Sequence, residues 1–423
     1  MNVRRALVFS FAVEATVSLV LMFTFKVASD LWGAVGFGAW ALARRILAFA
    51  LPLATLGVEI SLPRYIALHS ERNPREYLLA SVLLVLLGAA AMLLLFSAAP
   101  SIVTKVLFGD VALRALLLPL WCMLVSYSVH VLAFAYLRGR LHVPEANLLY
   151  LWAFGIVPLL VFTCDPASPE VAMWMIAGLV VIPALGVVVV SFVQRPVALS
   201  SSIALVTTFA RYGAPRMLSA LGLTTLALMP PLIVANQHGL AAAGAVALGV
   251  TLIGFAGTGM APIALILLPV AARNTGKGDL MALRRGVKLL AIVALPFVCL
   301  VALAVWLVAP WAGALFAGSQ QLVATEALRI AGFAAGPYAL FVVLRPVLDA
   351  VTEKGRTFHA TLFAIAAFAS LWSVSQWLHP TEQTGIRLVM ECYAVSMIVL
   401  LVSAYTFLHL GVLSALIEAP KKI

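Results

Sequence analysis

The chain has 423 residues, of which 64% are hydrophobic and only 10% are charged, and its mean hydropathy is +1.11. This balance lies far outside that of a soluble domain, so it excludes soluble enzymes and soluble binding modules. The formal net charge of +11 is interpreted as membrane topology rather than as nucleic-acid binding, because the basic residues are spread over short loops.

Apolar stretches long enough to cross a bilayer recur along the whole chain, and each predicts one transmembrane helix. Twelve are predicted, at residues 6–28, 34–62, 77–99, 113–137, 146–163, 171–193, 206–233, 243–270, 287–309, 326–350, 359–378 and 387–410. We therefore predict an all-α, polytopic protein of the bacterial inner membrane with no separate soluble domain.

The first predicted span follows the basic start MNVRR without a convincing cleavage site, so it is interpreted as an uncleaved helix. Most of the 27 Lys and Arg residues fall in loops on the side of the N-terminus, which predicts that both termini are cytoplasmic. The span contains Glu14, an isolated carboxylate in an apolar run. Glu14 is predicted to couple transport to a proton or sodium ion, or alternatively to neutralise a buried arginine.

Arg44 and Arg45 lie together inside the second predicted span. A charge near the centre of a bilayer costs at least about 2.5–3.5 kcal/mol on insertion scales, so it normally faces a wet cavity or an anionic partner. The planar guanidinium fork matches phosphate oxygens, which predicts binding of an anionic, phosphate-bearing substrate. A helix that begins only at Ile46 would instead place both arginines among lipid headgroups.

Further candidate residues lie in the later spans. His130 in the fourth span is either a proton relay or a packing residue. Arg211 and Arg216 at the entry of the seventh span either contact substrate or only set the topology. Arg345 in the tenth span is a candidate substrate ligand, although Asp349 four residues later permits an ion pair between them.

Asp349 and Glu391, the latter in the twelfth span, are predicted as additional ion-coupling carboxylates. The four cysteines and seven histidines are dispersed, without disulfide or metal-ligand spacing, so no metal or other cofactor is expected.

The chain repeats its plan after about half its length. The segment 106–109 (VLFG) has a counterpart in 314–318 (ALFAG), and Arg138-Gly139-Arg140 has one in Lys354-Gly355-Arg356. An even number of spans in each half gives a parallel repeat, and transporters built in this way bind substrate between the halves. We predict a six-helix lobe at residues 1–193, a cytoplasmic linker at 194–205 and a second lobe at 206–423.

The stretch GAVGFGAWALARRILAFALPLATLGVEISLPRYIALHSERNP, with the segments 56–65 (LGVEISLPRY) and 137–140 (LRGR), resembles the Wzx-type flippases. These form the polysaccharide-transporter branch of the multidrug/oligosaccharidyl-lipid/polysaccharide exporter superfamily. The resemblance implies a V-shaped pair of six-helix bundles with a cationic central cavity, to which Arg44 and Arg45 correspond by position. The chain lacks two C-terminal spans that some relatives have, including the peptidoglycan-precursor flippases.

The resemblance further implies a flippase for undecaprenyl-diphosphate-linked oligosaccharide, which moves it from the cytoplasmic to the periplasmic leaflet for O-antigen, capsule or exopolysaccharide assembly. Expected partners are that lipid-linked glycan, the bilayer, glycan polymerases and glycosyltransferases, with no nucleic acid, and the chain is expected to be a monomer. The alternative is a cation-coupled multidrug exporter of the same superfamily, favoured if Glu14 and Glu391 dominate the cavity. A glycan-assembling enzyme is disfavoured by the short outside loops, so the chain is predicted not to be an enzyme.

Overall fold

The computed structural model describes residues 3–68, 73–193, 199–276, 280–351, 356–378 and 385–418, and in these ranges it contains helices and no strand. The helices of the first half are α1 (Val3–Thr55), α2 (Val58–Leu68), α3 (Pro74–Ala98), α4 (Pro100–Phe108), α5 (Leu117–Gly139), α6 (Val143–Leu151), α7 (Val157–Thr163) and α8 (Pro169–Val193). Those of the second half are α9 (Leu199–His238), α10 (Leu240–Gly276), α11 (Leu280–Ala317), α12 (Gln321–Val351), α13 (Arg356–Leu378) and α14 (Gly385–Glu418).

Ten helical stretches of the described chain are long and apolar enough to cross a membrane. Two of them, Phe9–Thr55 with 47 residues and Pro296–Leu348 with 53, are about 70–80 Å long, more than twice the hydrocarbon thickness. The first is broken at Gly33, whose backbone is not helical, and the second at the 3₁₀ turn Gly318–Gln320. Each therefore holds two predicted spans, and the prediction of an all-α, multi-pass membrane protein is confirmed.

The outer surfaces of these helices are apolar, as a lipid environment requires. In α3, Leu78 and Leu84 are buried, whereas Leu87 and Leu94 are large apolar side chains that are exposed. A helix that is hydrophobic all round is typical of a membrane span, because in water such side chains would be covered by protein.

The chain forms two compact units, one comprising Met1–Thr224 with Ala235–Ala241 and the other Thr225–Val234 with Ala242–Ile423. In the first unit, Leu62, Tyr77, Tyr136 and Phe209 from four different helices form a buried core. In the second, Phe341, Phe368 and Met397 are fully buried in α12, α13 and α14. The predicted division at 194–205 stays a prediction, because residues 194–198 lie outside the described ranges.

The repeated sequence motif occupies equivalent places in the two halves. In the first half α4 ends at Phe108, and Gly109 caps it in the left-handed conformation with φ of 76°. In the second half α11 ends at Ala317, and Gly318 follows with φ of 49°. A 3₁₀ segment then leads into α5 and into α12, respectively. Glycine is needed at both sites because it adopts positive φ without steric cost.

Helices α1 and α3 approach each other closely at Gly88, where an added Cβ atom would overlap the backbone carbonyl of Ala54. We expect Gly88→Ala to lower the thermal unfolding midpoint, because forcing an extra methyl into a packed site costs about 1–3 kcal/mol. Gly186→Ala in α8 is the matched control, since nothing lies within 4 Å of the position that its Cβ would take and alanine favours a helix. Equal midpoints for the two variants in detergent would contradict the close helix contact.

Candidate functional site

The α-helix runs without interruption through Arg44 and Arg45 to Thr55, and Ala43 and Ile46 on either side of the pair are buried. The alternative in which the helix begins at Ile46 is therefore wrong. Consecutive residues of a helix are rotated by about 100°, so the two guanidinium groups leave the helix in different directions. Their surroundings therefore differ.

A cavity lies inside the first compact unit and has a volume of about 150 Å³. Its wall is apolar and aromatic, with one ionised side chain and no carboxylate among the lining residues. These are Leu21, Thr24, Trp40, Arg44, Leu47, Ala48, Leu51, Met123, Tyr127, Phe154, Pro158 and Ile176. Arg44 faces the cavity, and Arg45 does not line it.

The Arg44 guanidinium is held by aromatic rings. Its Cζ atom lies 5.3 Å from the centre of the Phe25 ring and 5.9 Å from that of Trp40, both within the range of cation–π attraction. Among the described residues it makes no hydrogen bond to protein and no ion pair. The guanidinium has five N–H donors, so the cavity contains a cation whose hydrogen-bonding capacity is available to a ligand or to water.

Trp40 adds a large aromatic ring to the same wall. Its side chain is buried, and in the described part of the chain its Nε1 atom is shielded and has no hydrogen-bond acceptor. Trp40 and Arg44 are four residues apart, which places them on the same face of α1. The wall thus combines the N–H donors of Arg44 with the ring of Trp40.

The opposite wall is built around the π-helical turn Trp152–Ile156 between α6 and α7. The Tyr127 hydroxyl donates a hydrogen bond to the Ala153 carbonyl at 3.3 Å, and the Tyr127 and Phe154 rings lie 5.1 Å apart. Single π-helical turns are rare and occur frequently at functional sites, because the inserted residue redirects the side chains around it. Here the turn contributes Phe154 to the cavity wall.

Glu14 lies behind this wall. The Tyr150 hydroxyl donates a hydrogen bond to Glu14 Oε2 at 3.3 Å, and the Tyr150 ring packs 4.9 Å from Phe154. Among the described ion pairs none involves Glu14, so the alternative in which it neutralises a buried arginine is not supported. Two aromatic rings thus connect the carboxylate to the cavity that holds Arg44.

His130 is packed among the same rings. It is 2% exposed, and its ring lies 5.5 Å from Phe154 and 6.4 Å from Tyr127. Its Nδ1 atom has no hydrogen-bond partner in the described residues. In the described part of the chain its ring packs against aromatic rings, which favours the packing interpretation of His130.

The arginines predicted at later positions lie elsewhere. Arg211 is exposed on α9, and Arg216 stacks 3.7 Å above the Tyr212 ring and donates to the Tyr212 carbonyl at 3.1 Å. Arg345 lies in the second compact unit, partly buried on α12. The side chain of Asp349 lies outside what the structure describes, so its pairing with Arg345 stays a prediction.

The expectation that Glu391 is buried is wrong. Its side chain is 44% exposed near the start of α14 and accepts a hydrogen bond from Arg387 Nε at 2.8 Å. Arg387 also lies 3.6 Å from Glu326. Glu391 is not among the residues that line the cavity of the first unit, and its predicted role in ion coupling stays a prediction.

Trp40, Tyr127 and Phe154 were not predicted from the sequence as functional residues. The spacing of Trp40 and Arg44 on one helix face is a signal that could have identified the first of them. No local pattern marks the other two, because they reach the cavity through the packing of α5 and through the π-helical turn.

No family model matches the chain. One curated relative, the probable multidrug resistance protein NorM of Rhizobium meliloti (strain 1021), is 33% identical over 108 residues. That match covers 25% of this chain and 23% of the relative, so the chain is aligned with less than a quarter of that protein's length.

The fold is similar to solved structures over almost the whole chain. An inward-facing multidrug resistance MATE family transporter of the MOP superfamily aligns with a TM-score of 0.69 and 16% identity, covering 96% of this chain and 98% of that one. The eukaryotic MATE transporter AtDTX14 aligns with a TM-score of 0.63, 13% identity and coverage of 97% and 98%. The Vibrio cholerae MATE transporter VcmN aligns with a TM-score of 0.57 and 18% identity, covering 97% of each chain.

The chain therefore has the fold of the MATE transporters. The predicted Wzx-type flippase for lipid-linked oligosaccharide is wrong, since the sequence relative and these fold neighbours are all named as multidrug or MATE transporters. With it, the expected glycan substrate and its role in polysaccharide assembly are withdrawn. All the similar proteins reported above are named as transport or resistance proteins rather than enzymes, in agreement with the prediction that this chain is not an enzyme.

Proposed function

We propose that the chain is a multidrug exporter of the bacterial inner membrane, acting as a monomer with both termini in the cytoplasm. It binds small amphiphilic compounds in the cavity of the first compact unit and releases them by alternating access. This function was the alternative interpretation of the sequence, and it is supported by the fold shared with multidrug transporters.

The observation that carries the proposal is the chemistry of the cavity. A wall of aromatic and aliphatic side chains with a few polar groups is typical of small-molecule sites, where apolar contacts bind and polar groups orient the ligand. The cavity has one ionised group, Arg44, and no nucleophile–base pair lines it. Such a site is suited to binding and release without covalent chemistry.

We further propose that a cation gradient drives the cycle and that Glu14 carries the coupling ion. A carboxylate inside a membrane span is a functional candidate by its position alone. Its hydrogen bond to Tyr150 connects it to the cavity wall through Phe154. A change in the ionisation of Glu14 would therefore act on a ring layer that touches the ligand.

The test is expression of the full chain in a bacterial strain that lacks its own exporters, with a panel of cationic, neutral and anionic amphiphiles. Expression is expected to lower the accumulation of at least one panel compound. Ala48→Trp is expected to abolish this effect, because the indole fills a cavity of about 150 Å³, whereas Ala48→Ser should retain it. Unchanged accumulation of every compound, with normal membrane abundance of the protein, would overturn the proposal.

A further inference from the structure

We infer that the compounds bound in this cavity are small aromatic anions, such as aromatic carboxylates, held by Arg44 within the aromatic wall. The inference rests on the proposed exporter function and names the substrate class of its site.

The charge of the cavity is the first argument. Arg44 is the one ionised side chain in the lining, and no described carboxylate pairs with it. In the low dielectric of a membrane-embedded cavity, an unpaired guanidinium attracts an anion strongly and repels an organic cation.

Hydrogen-bond polarity points in the same direction. The Arg44 guanidinium donates, and it makes no hydrogen bond to protein among the described residues, where its contacts are the Phe25 and Trp40 rings. A carboxylate only accepts, and its two oxygens match the planar guanidinium fork. An ammonium group only donates, so it would leave the guanidinium N–H groups without partners. A ligand that satisfies this wall is therefore an acceptor with negative charge.

Size and wall chemistry limit the rest of the ligand. A cavity of about 150 Å³ lined by aliphatic and aromatic side chains is known to accommodate a benzene molecule in an engineered protein. Trp40, Tyr127 and Phe154 provide aromatic rings on opposite walls here. The cavity thus admits one aromatic ring with a small charged group, which excludes a large glycan or a multi-ring compound from full enclosure.

Glu14 does not cancel this preference. Its carboxylate is absent from the lining and accepts the hydrogen bond of Tyr150 behind Phe154. Arg44 therefore lines the cavity directly, whereas Glu14 is connected to the cavity wall through the rings of Tyr150 and Phe154.

The experiment compares three probes of nearly equal shape on the purified full chain in detergent: benzoate, benzyl alcohol and benzylamine. Binding is measured calorimetrically, and transport is measured in proteoliposomes with radiolabelled benzoate and with ethidium as a cationic probe. We expect benzoate to bind at least about tenfold more tightly than benzylamine, since one unpaired charge in such a cavity is worth a factor of this order.

Matched variants assign the effect to Arg44. Arg44→Gln should weaken benzoate binding by about tenfold or more and leave benzyl alcohol unchanged, whereas Arg44→Lys should retain part of the preference because the charge remains. Trp40→Phe keeps an aromatic ring in the wall and leaves the charge in place, so the preference for benzoate over benzylamine should remain. Arg140→Gln removes one exposed positive charge outside the cavity and should leave binding unchanged.

The outcomes separate this inference from the exporter proposal. If ethidium is transported and benzylamine binds more tightly than benzoate, the anion preference is overturned and the exporter function stands. If benzoate binds equally well to wild type and to Arg44→Gln, Arg44 is not the binding group and the inference also falls. If no probe is bound or transported by folded wild-type protein, and the accumulation panel is also negative, both proposals are overturned.

Discussion

Replacing Gly57 with alanine is expected to destabilise the first compact unit more than any of the other glycine-to-alanine changes proposed for the described chain. Gly57 lies in the turn between α1 and α2 with φ of 80°, a conformation that costs an L-residue about 1–2 kcal/mol. A Cβ atom added there would also lie 2.6–2.7 Å from the backbone of Gly213 in α9. Because that obstacle is backbone, it cannot rotate away, and relief would require the helices to separate.

Two further variants divide this effect into its parts. Gly213→Ala keeps helical geometry at the substituted residue and introduces only the steric conflict, since its new Cβ would lie 2.6 Å from the Leu56 carbonyl oxygen. Gly239→Ala introduces only the backbone cost, because its φ of 84° is close to that of Gly57 and nothing lies within 4 Å of the position that the Cβ would take. Thermal unfolding in detergent, followed by tryptophan fluorescence, should give the lowest midpoint for Gly57→Ala. A midpoint for Gly57→Ala no lower than that of Gly239→Ala would show that the approach of Gly213 is unimportant.

Glu14→Gln is expected to abolish gradient-driven transport while leaving ligand binding and protein abundance intact. The glutamine carbonyl can still accept the hydrogen bond of Tyr150, so the ring layer behind the cavity should keep its packing. The amide cannot ionise and carries no negative charge to bind a proton or to attract a sodium ion, so the coupling step is lost. The measurement is uptake into proteoliposomes with an imposed proton or sodium gradient, beside binding to the same preparation.

Glu391→Gln is the control for this experiment, because it removes a carboxylate from a membrane helix without touching the cavity. Glu391 pairs with Arg387 on an exposed surface, so transport and binding should both remain at wild-type levels. Loss of transport in Glu391→Gln, or retention of gradient-driven uptake in Glu14→Gln, would contradict the assignment of Glu14 as the coupling site.

The membrane class could be inferred from the sequence alone, because it depends on the hydropathy along the chain. A bilayer requires about 20 apolar residues for each crossing and requires every backbone hydrogen bond to be satisfied within a helix. The repeated segments at 106–109 and 314–318 could also be read locally, because in each a glycine ends a helix in a conformation that other residues avoid. Arg44 could also be identified from the sequence as a functional candidate, because a charge inside an apolar span is energetically costly.

Only the tertiary structure decided which charged groups act together. Arg44 and Arg45 are adjacent in sequence, yet they leave the helix in different directions, and only Arg44 of the two lines the cavity. In the sequence, Glu14 and Glu391 are both carboxylates in apolar spans. In the structure, Glu14 accepts a hydrogen bond from Tyr150, whereas Glu391 forms an exposed ion pair with Arg387. A span's hydropathy does not contain this information, because the direction of a side chain and its partners depend on helices distant in sequence. The departure from the predicted flippase has the same origin, since the cavity and the fold arise from packing rather than from any local motif.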